Sequence, residues 1–276
     1  MYQLDLGVSV RLFEPYGKNE NYLRDLKEIR RQGFKSVEVT LGKVGGYKVN
    51  MEQCMMQVED GLKAVQDEGL VLNSIHMPFQ RFIYISSNDE AVRSWVIGEF
   101  LRLIEICDNY NPLHYVFHSK VGRKDEPDWT LRKPALLRSF RQMVDATKNN
   151  ICIENMVGSF PSTVADMLEV LQQVENGKCC IDANHFLQDD LTEATLALGK
   201  WVKTIHVSDY DGAYEKHWLP KQGVNNWMKF IGALEKIGYQ GDFIYEVYQE
   251  KYGYTFEEIR RNYEELFEEY NKFNSH

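Results

Sequence analysis

The chain has 276 residues, of which 43% are hydrophobic and 26% charged, a composition typical of a soluble globular protein. Its formal net charge of −9 disfavours a polyanionic partner such as nucleic acid, and the lack of a long apolar run argues against a membrane span. The first residues contain Asp5 and no basic segment, unlike a secretory leader, so we expect a cytoplasmic protein.

Short apolar and β-branched runs alternate with longer segments of helical periodicity along the whole chain. The predicted strands cover residues 5–10, 35–40, 71–77, 114–119, 150–156, 178–185, 202–209 and 242–248. In the first predicted helix, Leu23, Leu26 and Ile29 share one face, and Gly33 gives a stop signal. The other predicted helices lie within 54–70, 88–110, 132–149, 162–176, 191–201, 224–238 and 255–273.

This alternation of strands and helices predicts parallel strands joined by right-handed crossovers. An open doubly wound sheet also alternates, but it usually has about five to seven strands. Eight repeats across roughly 250 residues fit a closed (β/α)8 barrel better. Because no low-complexity or Pro/Gly-rich linker divides the chain, we expect a single α/β TIM-barrel domain over residues 1–276.

Polar residues mark the ends of the predicted strands, where such a barrel places its active site. His185 follows the sixth strand, and Glu215 and His217 lie in the loop after the seventh. A lone histidine at a strand end is more often structural than functional. Six consecutive strands, however, end in an acid or an imidazole, and this pattern predicts a functional site. These strand-end residues are His76, His118, Glu154, Asp182, His206 and Glu246.

Carboxylates that converge in a partly dry pocket repel one another, and a divalent cation relieves the repulsion. We therefore expect one ion at the ends of strands five to eight. Mixed oxygen and imidazole ligands suit Mn²⁺, Zn²⁺, Co²⁺, Mg²⁺ or Fe²⁺. The alternative is a salt-bridge network of these carboxylates with Lys120, Arg123 or Lys216. The expected ligands are Glu154, Asp182, His206 and Glu246.

At these residues the chain resembles the xylose-isomerase-like TIM-barrel superfamily, which includes sugar isomerases, sugar epimerases and endonuclease IV, an AP endonuclease of family 2. The resemblance covers nearly the whole chain. Each motif is weak alone, but their order and strand placement are specific for the superfamily, and much less so for one activity. The motifs are "HMP" (76–78), "EN" (154–155), "DANH" (182–185), "HVSD" (206–209) and "YE" (245–246).

The resemblance to ketose epimerases such as tagatose epimerase implies that the four expected ligands hold one metal ion. It also implies that Glu154 and Glu246 act as acid and base on opposite faces of the substrate carbon, and that His185 contacts substrate hydroxyls. We expect the remaining mouth residues, His76, His118, Glu215 and His217, to bind substrate as well. Aromatic residues near the mouth suit stacking on a sugar ring: Phe79, Phe186, Tyr210, Tyr214, Trp218 and Tyr248.

The resemblance to endonuclease IV implies a larger set of metal ligands. His76 and His118 match additional zinc ligands, and Glu215-Lys216-His217 stands where that family has Asp-x-His. Together with His185, this segment could hold a third ion, so the resemblance allows up to three bound zinc ions. The net charge disfavours DNA binding, as does the absence of a dense arginine cluster in the loops 11–20 and 41–50. The most basic segment, 131–142, is predicted to lie on an outer helix.

Four hypotheses follow. The first is a metal-dependent isomerase or epimerase that acts on a ketose, an inosose or a related sugar by abstracting a proton next to a carbonyl. The second is a lyase or dehydratase acting on a keto-sugar or a 3-keto-glycoside. The third is an abasic-site phosphodiesterase, and the fourth is a non-enzymatic sugar-binding or structural subunit. We expect a small sugar or polyol as the ligand and no membrane partner, and the sequence leaves a homo-oligomer open.

Overall fold

The computed structural model describes residues 1–14, 17–42, 51–79, 84–122 and 125–274, with their side chains except those of 14, 17, 18 and 51–54. A short antiparallel pair, Phe13–Glu14 with Gly17–Lys18, follows the first strand. The barrel strands are β1 (Leu6–Arg11), β2 (Ser36–Thr40), β3 (Val71–His76), β4 (His114–Phe117), β5 (Asn150–Glu154), β6 (Lys178–Asp182), β7 (Val202–Val207) and β8 (Phe243–Tyr245).

These eight strands form a closed parallel barrel in the order β1–β8–β7–β6–β5–β4–β3–β2. Strand β1 closes the ring, because Val8 is paired with Val37 of β2 and with Tyr245 of β8. The predicted (β/α)8 fold is therefore confirmed. Since all strands run in the same direction, their carboxyl ends lie at one rim, and the polar residues at or next to the ends of β3 to β8 face a common mouth.

Helices cover the outside of the barrel. Nine α-helical segments occur among the described residues, one more than predicted, because the one-turn helix α8 separates β8 from the final helix. No described helix is long and apolar enough to cross a membrane. The helices are α1 (Tyr22–Arg31), α2 (Met51–Asp67), α3 (Glu90–Asp108), α4 (Trp129–Ala146), α5 (Val164–Gln173), α6 (Leu191–Leu198), α7 (Trp227–Lys236), α8 (Gln249–Tyr252) and α9 (Phe256–Phe273).

The predicted buried face of α1 is partly wrong. Leu26 and Ile29 are buried, but Leu23 is 53% exposed, and Tyr22 is buried instead. Tyr22 lies four residues before Leu26 and seven before Ile29, which is the spacing of one helical face. The Tyr22 hydroxyl donates to the Gly61 carbonyl of α2 at 3.1 Å, so its polar end is satisfied in the core.

The barrel interior has its own small apolar layer. Val116, Cys152 and Cys180 form a fully buried cluster that is separate from the large core between the sheet and the helices. Side chains alternate along a strand, so the residue two positions after an inward-facing one faces the interior again. Cys152 is thus followed on the inside by Glu154, and Cys180 by Asp182, which places both carboxylates at the mouth.

Candidate metal centre

The four residues expected to bind one ion come together at the mouth. Ligand atoms from Glu154, Asp182, His206 and Glu246 all lie within 4.8 Å of one another. His206 Nδ1 is 3.2 Å from Glu246 Oε2, 3.7 Å from Glu154 Oε1 and 3.9 Å from Asp182 Oδ2. Two atoms that bind the same ion at tetrahedral angles and at 2.0–2.3 Å are separated by about 3.3–3.8 Å. The spacing of this central group therefore fits a single divalent cation.

Two atoms of the central group support the same conclusion. Asp182 Oδ2 and His206 Nδ1 are buried and have no hydrogen-bond partner among the described residues. A buried polar atom without a partner is costly, and such atoms are uncommon in folded proteins. Both atoms face the centre of the group, where an ion would satisfy them together. The donor set, three carboxylates and one imidazole, suits the divalent ions expected from the sequence.

Glu38, which the sequence reading did not identify, fixes the orientation of His206. Its Oε2 atom lies 3.0 Å from His206 Nε2, and neither side chain is exposed to solvent. Ser74 and Ser9 donate hydrogen bonds to the two oxygens of this carboxylate, at 2.8 and 3.0 Å. An ionised carboxylate only accepts hydrogen bonds, so His206 Nε2 carries a proton and Nδ1 points to the central group. A carboxylate partner of this kind is typical of metal-binding histidines.

A second group of possible ligands lies beside the first and shares Glu154 with it. The Nε2 atoms of His76 and His118 are each 3.2 Å from Glu154 Oε2. His76 Nδ1 lies 3.1 Å from the Met77 carbonyl oxygen, to which it donates, so its Nε2 atom is left to face the carboxylate. Glu154 therefore presents one oxygen to the central group and the other to this histidine pair.

A third group joins His185, which follows β6, to Glu215 and His217 on the loop after β7. His217 Nε2 is 2.7 Å and His185 Nε2 is 3.6 Å from Glu215 Oε1. The Nδ1 atoms of these histidines donate to the carbonyls of Glu246 and Asn155, at 2.8 and 2.9 Å. Both rings are thus held by the backbone with Nε2 directed at the carboxylate, which is the arrangement that a metal-binding histidine needs.

A single buried carboxylate holds the loop that carries the third group. Asp209 is fully buried and accepts hydrogen bonds from the backbone N–H groups of Lys221, Gly223 and Asn225 at 3.0–3.2 Å, and from the indole of Trp227 at 2.9 Å. These bonds fix the segment between β7 and α7. The positions of Glu215 and His217 are therefore set by a folded loop.

The electrostatics of the mouth favour a cation. Burial raises the pKa of Asp182 to about 7, and nearby Glu246 and Glu154 act in the same direction. Although burial opposes it, Cys180 and then the neighbouring carboxylates raise the pKa of His206 well above its ordinary value. Hydrogen bonds from His185 and His217 lower the pKa of Glu215. The negative potential that favours protons on these imidazoles favours a divalent cation in the same space.

The salt-bridge alternative receives little support from the described residues. Lys216 pairs with Asp211 at 3.0 Å rather than with the mouth carboxylates. The charge of Lys120 acts on His118, whose pKa falls to about 4, chiefly because the ring is buried. Arg123 lies outside the described residues. The carboxylates of the central group are therefore surrounded mainly by imidazoles.

A cleft of about 1150 Å³ joins the three groups to solvent and extends to α1 and the start of α9. Of the aromatic residues expected at the mouth, Phe79 and Tyr248 line this cleft. The Tyr248 ring stacks on His217, with the ring centres 4.1 Å apart. Phe186 and Tyr210 are buried, whereas Tyr214 is 70% exposed. Two of the expected aromatic rings are thus available for contact with a bound molecule.

Three solved structures resemble the chain over nearly its whole length. A D-psicose 3-epimerase in the presence of D-fructose aligns with a TM-score of 0.75 at 15% identity, covering 96% of this chain and 97% of that chain. An L-ribulose 3-epimerase aligns with a TM-score of 0.74 at 16% identity, covering 99% and 97%. A D-allulose 3-epimerase from Methylomonas sp. in complex with D-allulose aligns with a TM-score of 0.73 at 14% identity, covering 96% of each chain.

At these identities the structural matches show the fold alone. A search of curated protein sequences returns no match. The family model of the xylose isomerase-like TIM barrel matches residues 26–270, which is most of the chain and includes every residue of the three groups. The chain therefore belongs to the xylose isomerase-like TIM-barrel family.

Proposed function

We propose that this protein is a metal-dependent sugar isomerase or epimerase, which abstracts a proton next to the carbonyl of a ketose, an inosose or a related sugar. The central group carries the proposal, because it combines two glutamates with two further ligands around one point. A protein that only bound a sugar would not need two carboxylates facing the same centre. The three structural neighbours described above are ketose 3-epimerases, which supports this class of reaction.

Four residues would hold the ion in this proposal. Asp182 and His206 act as ligands only, whereas Glu154 and Glu246 have a second role. An ion bound here would polarise the sugar carbonyl and make the adjacent C–H more acidic. Glu246 is the more accessible glutamate, since its side chain is 23% exposed, compared with 1% for Glu154. Both line the cleft, so a bound sugar can contact both.

The two glutamates move the proton. Although burial opposes it, the charges of His206 and His217 lower the pKa of Glu246, so this side chain is ionised and can accept a proton from carbon. Burial also opposes ionisation of Glu154, but the neighbouring imidazoles of His118 and His206, together with a hydrogen bond from His185, hold its pKa well below the ordinary value. One glutamate takes the proton and the other returns one to the opposite face of the same carbon. Return to the neighbouring position instead would give isomerisation.

Solvent exchange tests this proposal. The protein, loaded with Mn²⁺ or Co²⁺, is incubated in deuterated water with a panel of ketoses, inososes and 3-keto-glycosides. We expect deuterium at the carbon beside the carbonyl, and we expect Glu246→Gln to abolish it. Glu250→Gln is the matched control, because Glu250 lines the same cleft outside the three groups. Turnover without exchange would point to a hydride shift, and no turnover of any carbonyl sugar would contradict the proposal.

The second candidate function is a three-metal phosphodiesterase. One observation favours it: besides the central group, the second and third groups each offer two imidazoles and one carboxylate. Each of the three groups could hold one zinc ion, with Glu154 shared by two of them.

The charges along the cleft count against a nucleic-acid substrate. Arg24 and Arg31 line the cleft but pair with Asp25 and Glu28, at 3.0 and 2.6 Å. The basic segment of the sequence lies in α4, where Arg132 pairs with Asp128 at 2.6 Å. These three arginines are therefore paired with acidic neighbours, which lowers their capacity to contact a phosphate backbone.

Metal content separates the two candidates. Elemental analysis of protein purified without chelator should give about one equivalent of a divalent metal for the sugar enzyme, and nearly three equivalents of zinc for the phosphodiesterase. Cleavage of DNA that contains an abasic site, lost in His118→Ala, would favour the second candidate. Absence of cleavage together with deuterium exchange into a sugar would favour the first.

A further inference from the structure

Arg11 occupies the position on β1 that corresponds to the polar strand ends of β3 to β8. Ser9 faces the barrel interior, where its hydroxyl contacts Glu38 and Thr40 at 3.0 and 2.8 Å. Arg11 lies two residues later, at the last position of β1, and is paired with Thr40 in the sheet register. Alternation along the strand therefore directs its side chain to the same side as Ser9, at the rim of the mouth.

The guanidinium of Arg11 lies in the same cleft as the three groups. Its Cζ atom is 5.7 Å from the centre of the Tyr248 ring, which in turn stacks on His217. The Lys251 ammonium lies 5.6 Å from the same ring and also lines the cleft. Two cations thus flank one aromatic ring beside the proposed substrate site.

These two cations differ from the two cleft arginines of α1 in their partners. Neither Arg11 nor Lys251 forms an ion pair with another residue in the described ranges, whereas Arg24 and Arg31 each pair with a carboxylate of α1. An arginine has five N–H donors in a planar fork that matches the oxygens of a carboxylate or a phosphate. The exposed side chain of Arg11 retains this capacity at the mouth.

We propose that Arg11, assisted by Lys251, binds an anionic group of the substrate, so that the substrate is a sugar carrying a phosphate or a carboxylate. This inference rests on the proposed function, because it assigns the substrate class of the same site. The reacting carbon would lie at the carboxylate and imidazole groups, and the anion would lie over Tyr248 at the rim. In this arrangement the part of the substrate that lies at the rim must carry a negative charge.

Equilibrium binding to the metal-loaded protein tests the inference without relying on turnover. The probes are fructose 6-phosphate, fructuronate and fructose, which present a phosphate, a carboxylate and no charge. We expect one of the two anionic sugars to bind more tightly than fructose by on the order of 10- to 100-fold, as for a hydrogen bond to a charged group. Arg11→Met should remove this preference, so that the three probes bind with similar affinity.

Arg102→Met is the matched control, because Arg102 is a half-exposed arginine on α3 that pairs with Glu99 away from the cleft. The preferred anionic probe distinguishes phosphate from carboxylate. Equal binding of all three sugars by the wild type, or an anion preference that persists in Arg11→Met, would overturn the inference. Deuterium exchange in the same samples reports on the proposed function separately, since exchange into fructose without an anion preference would leave that function standing.

Discussion

The bond between Glu38 and His206 allows a direct test of the metal centre. Glu38→Gln keeps the size of the side chain and one acceptor oxygen but removes the negative charge. A hydrogen bond to a charged group contributes about 1.5–3 kcal/mol, and this one joins two fully buried side chains at 3.0 Å. Loss of such a partner typically weakens metal binding by roughly 10- to 100-fold. We therefore expect Glu38→Gln to bind Zn²⁺ or Mn²⁺ more weakly by this factor.

Competition with a chromophoric chelator measures the affinity of the metal-free protein directly. Ser36→Ala is the matched control, because Ser36 is buried two residues earlier on β2, further from the mouth. Thermal unfolding of both metal-free variants would show that the barrel is intact. We expect Ser36→Ala to bind the ion like the wild type. If Glu38→Gln also bound the ion with the affinity of the wild type, the role assigned to Glu38 would be wrong.

Three further predictions follow from the same geometry. Asp182→Ala should abolish tight metal binding, as measured by the same competition, and unchanged affinity would contradict its role as a ligand. Glu246→Gln should retain part of the metal affinity but lower turnover by several powers of ten, as measured with a saturating sugar. Burial lowers the pKa of His114 to about 4. Below about pH 6.5 this histidine is protonated in the unfolded chain but not in the folded chain, so the free energy of unfolding decreases as the pH falls. The wild type should lose about 2 kcal/mol more than His114→Gln between pH 7.5 and 5 in urea unfolding, and equal losses would contradict this.

The barrel and the residues at its mouth could be predicted because both depend on local patterns. Alternation within each strand carries Glu154 and Asp182 to the rim, and parallel strands bring the rim residues together. The sequence reading identified every member of the three groups for this reason. The resemblance to endonuclease IV also implied their division into three groups, whereas the distances between the side chains could not be predicted, since these depend on the curvature and register of the closed sheet.

Glu38 was missed for a different reason. It lies two residues before the end of β2, whereas the sequence reading considered the last inward residue of each strand. Its partner His206 is 168 positions away in the sequence, so no local spacing joins them. The available signal was chemical, because a glutamate in the middle of the run "SVEVT" would be buried in a barrel. A buried carboxylate needs partners. Arg11 was not predicted either, because the pattern that marked the mouth consisted of acids and histidines.

The shared position of Glu154 has a consequence for how ions would occupy the mouth. One oxygen of this carboxylate faces His206, and the other faces His76 and His118. An ion on either side withdraws negative charge from the same side chain, so occupancy of one position changes the affinity of the other, and by linkage the effect is mutual. Ions bound at the central group and at the histidine pair would therefore be coupled, and titration of the protein with metal should then not fit two independent sites.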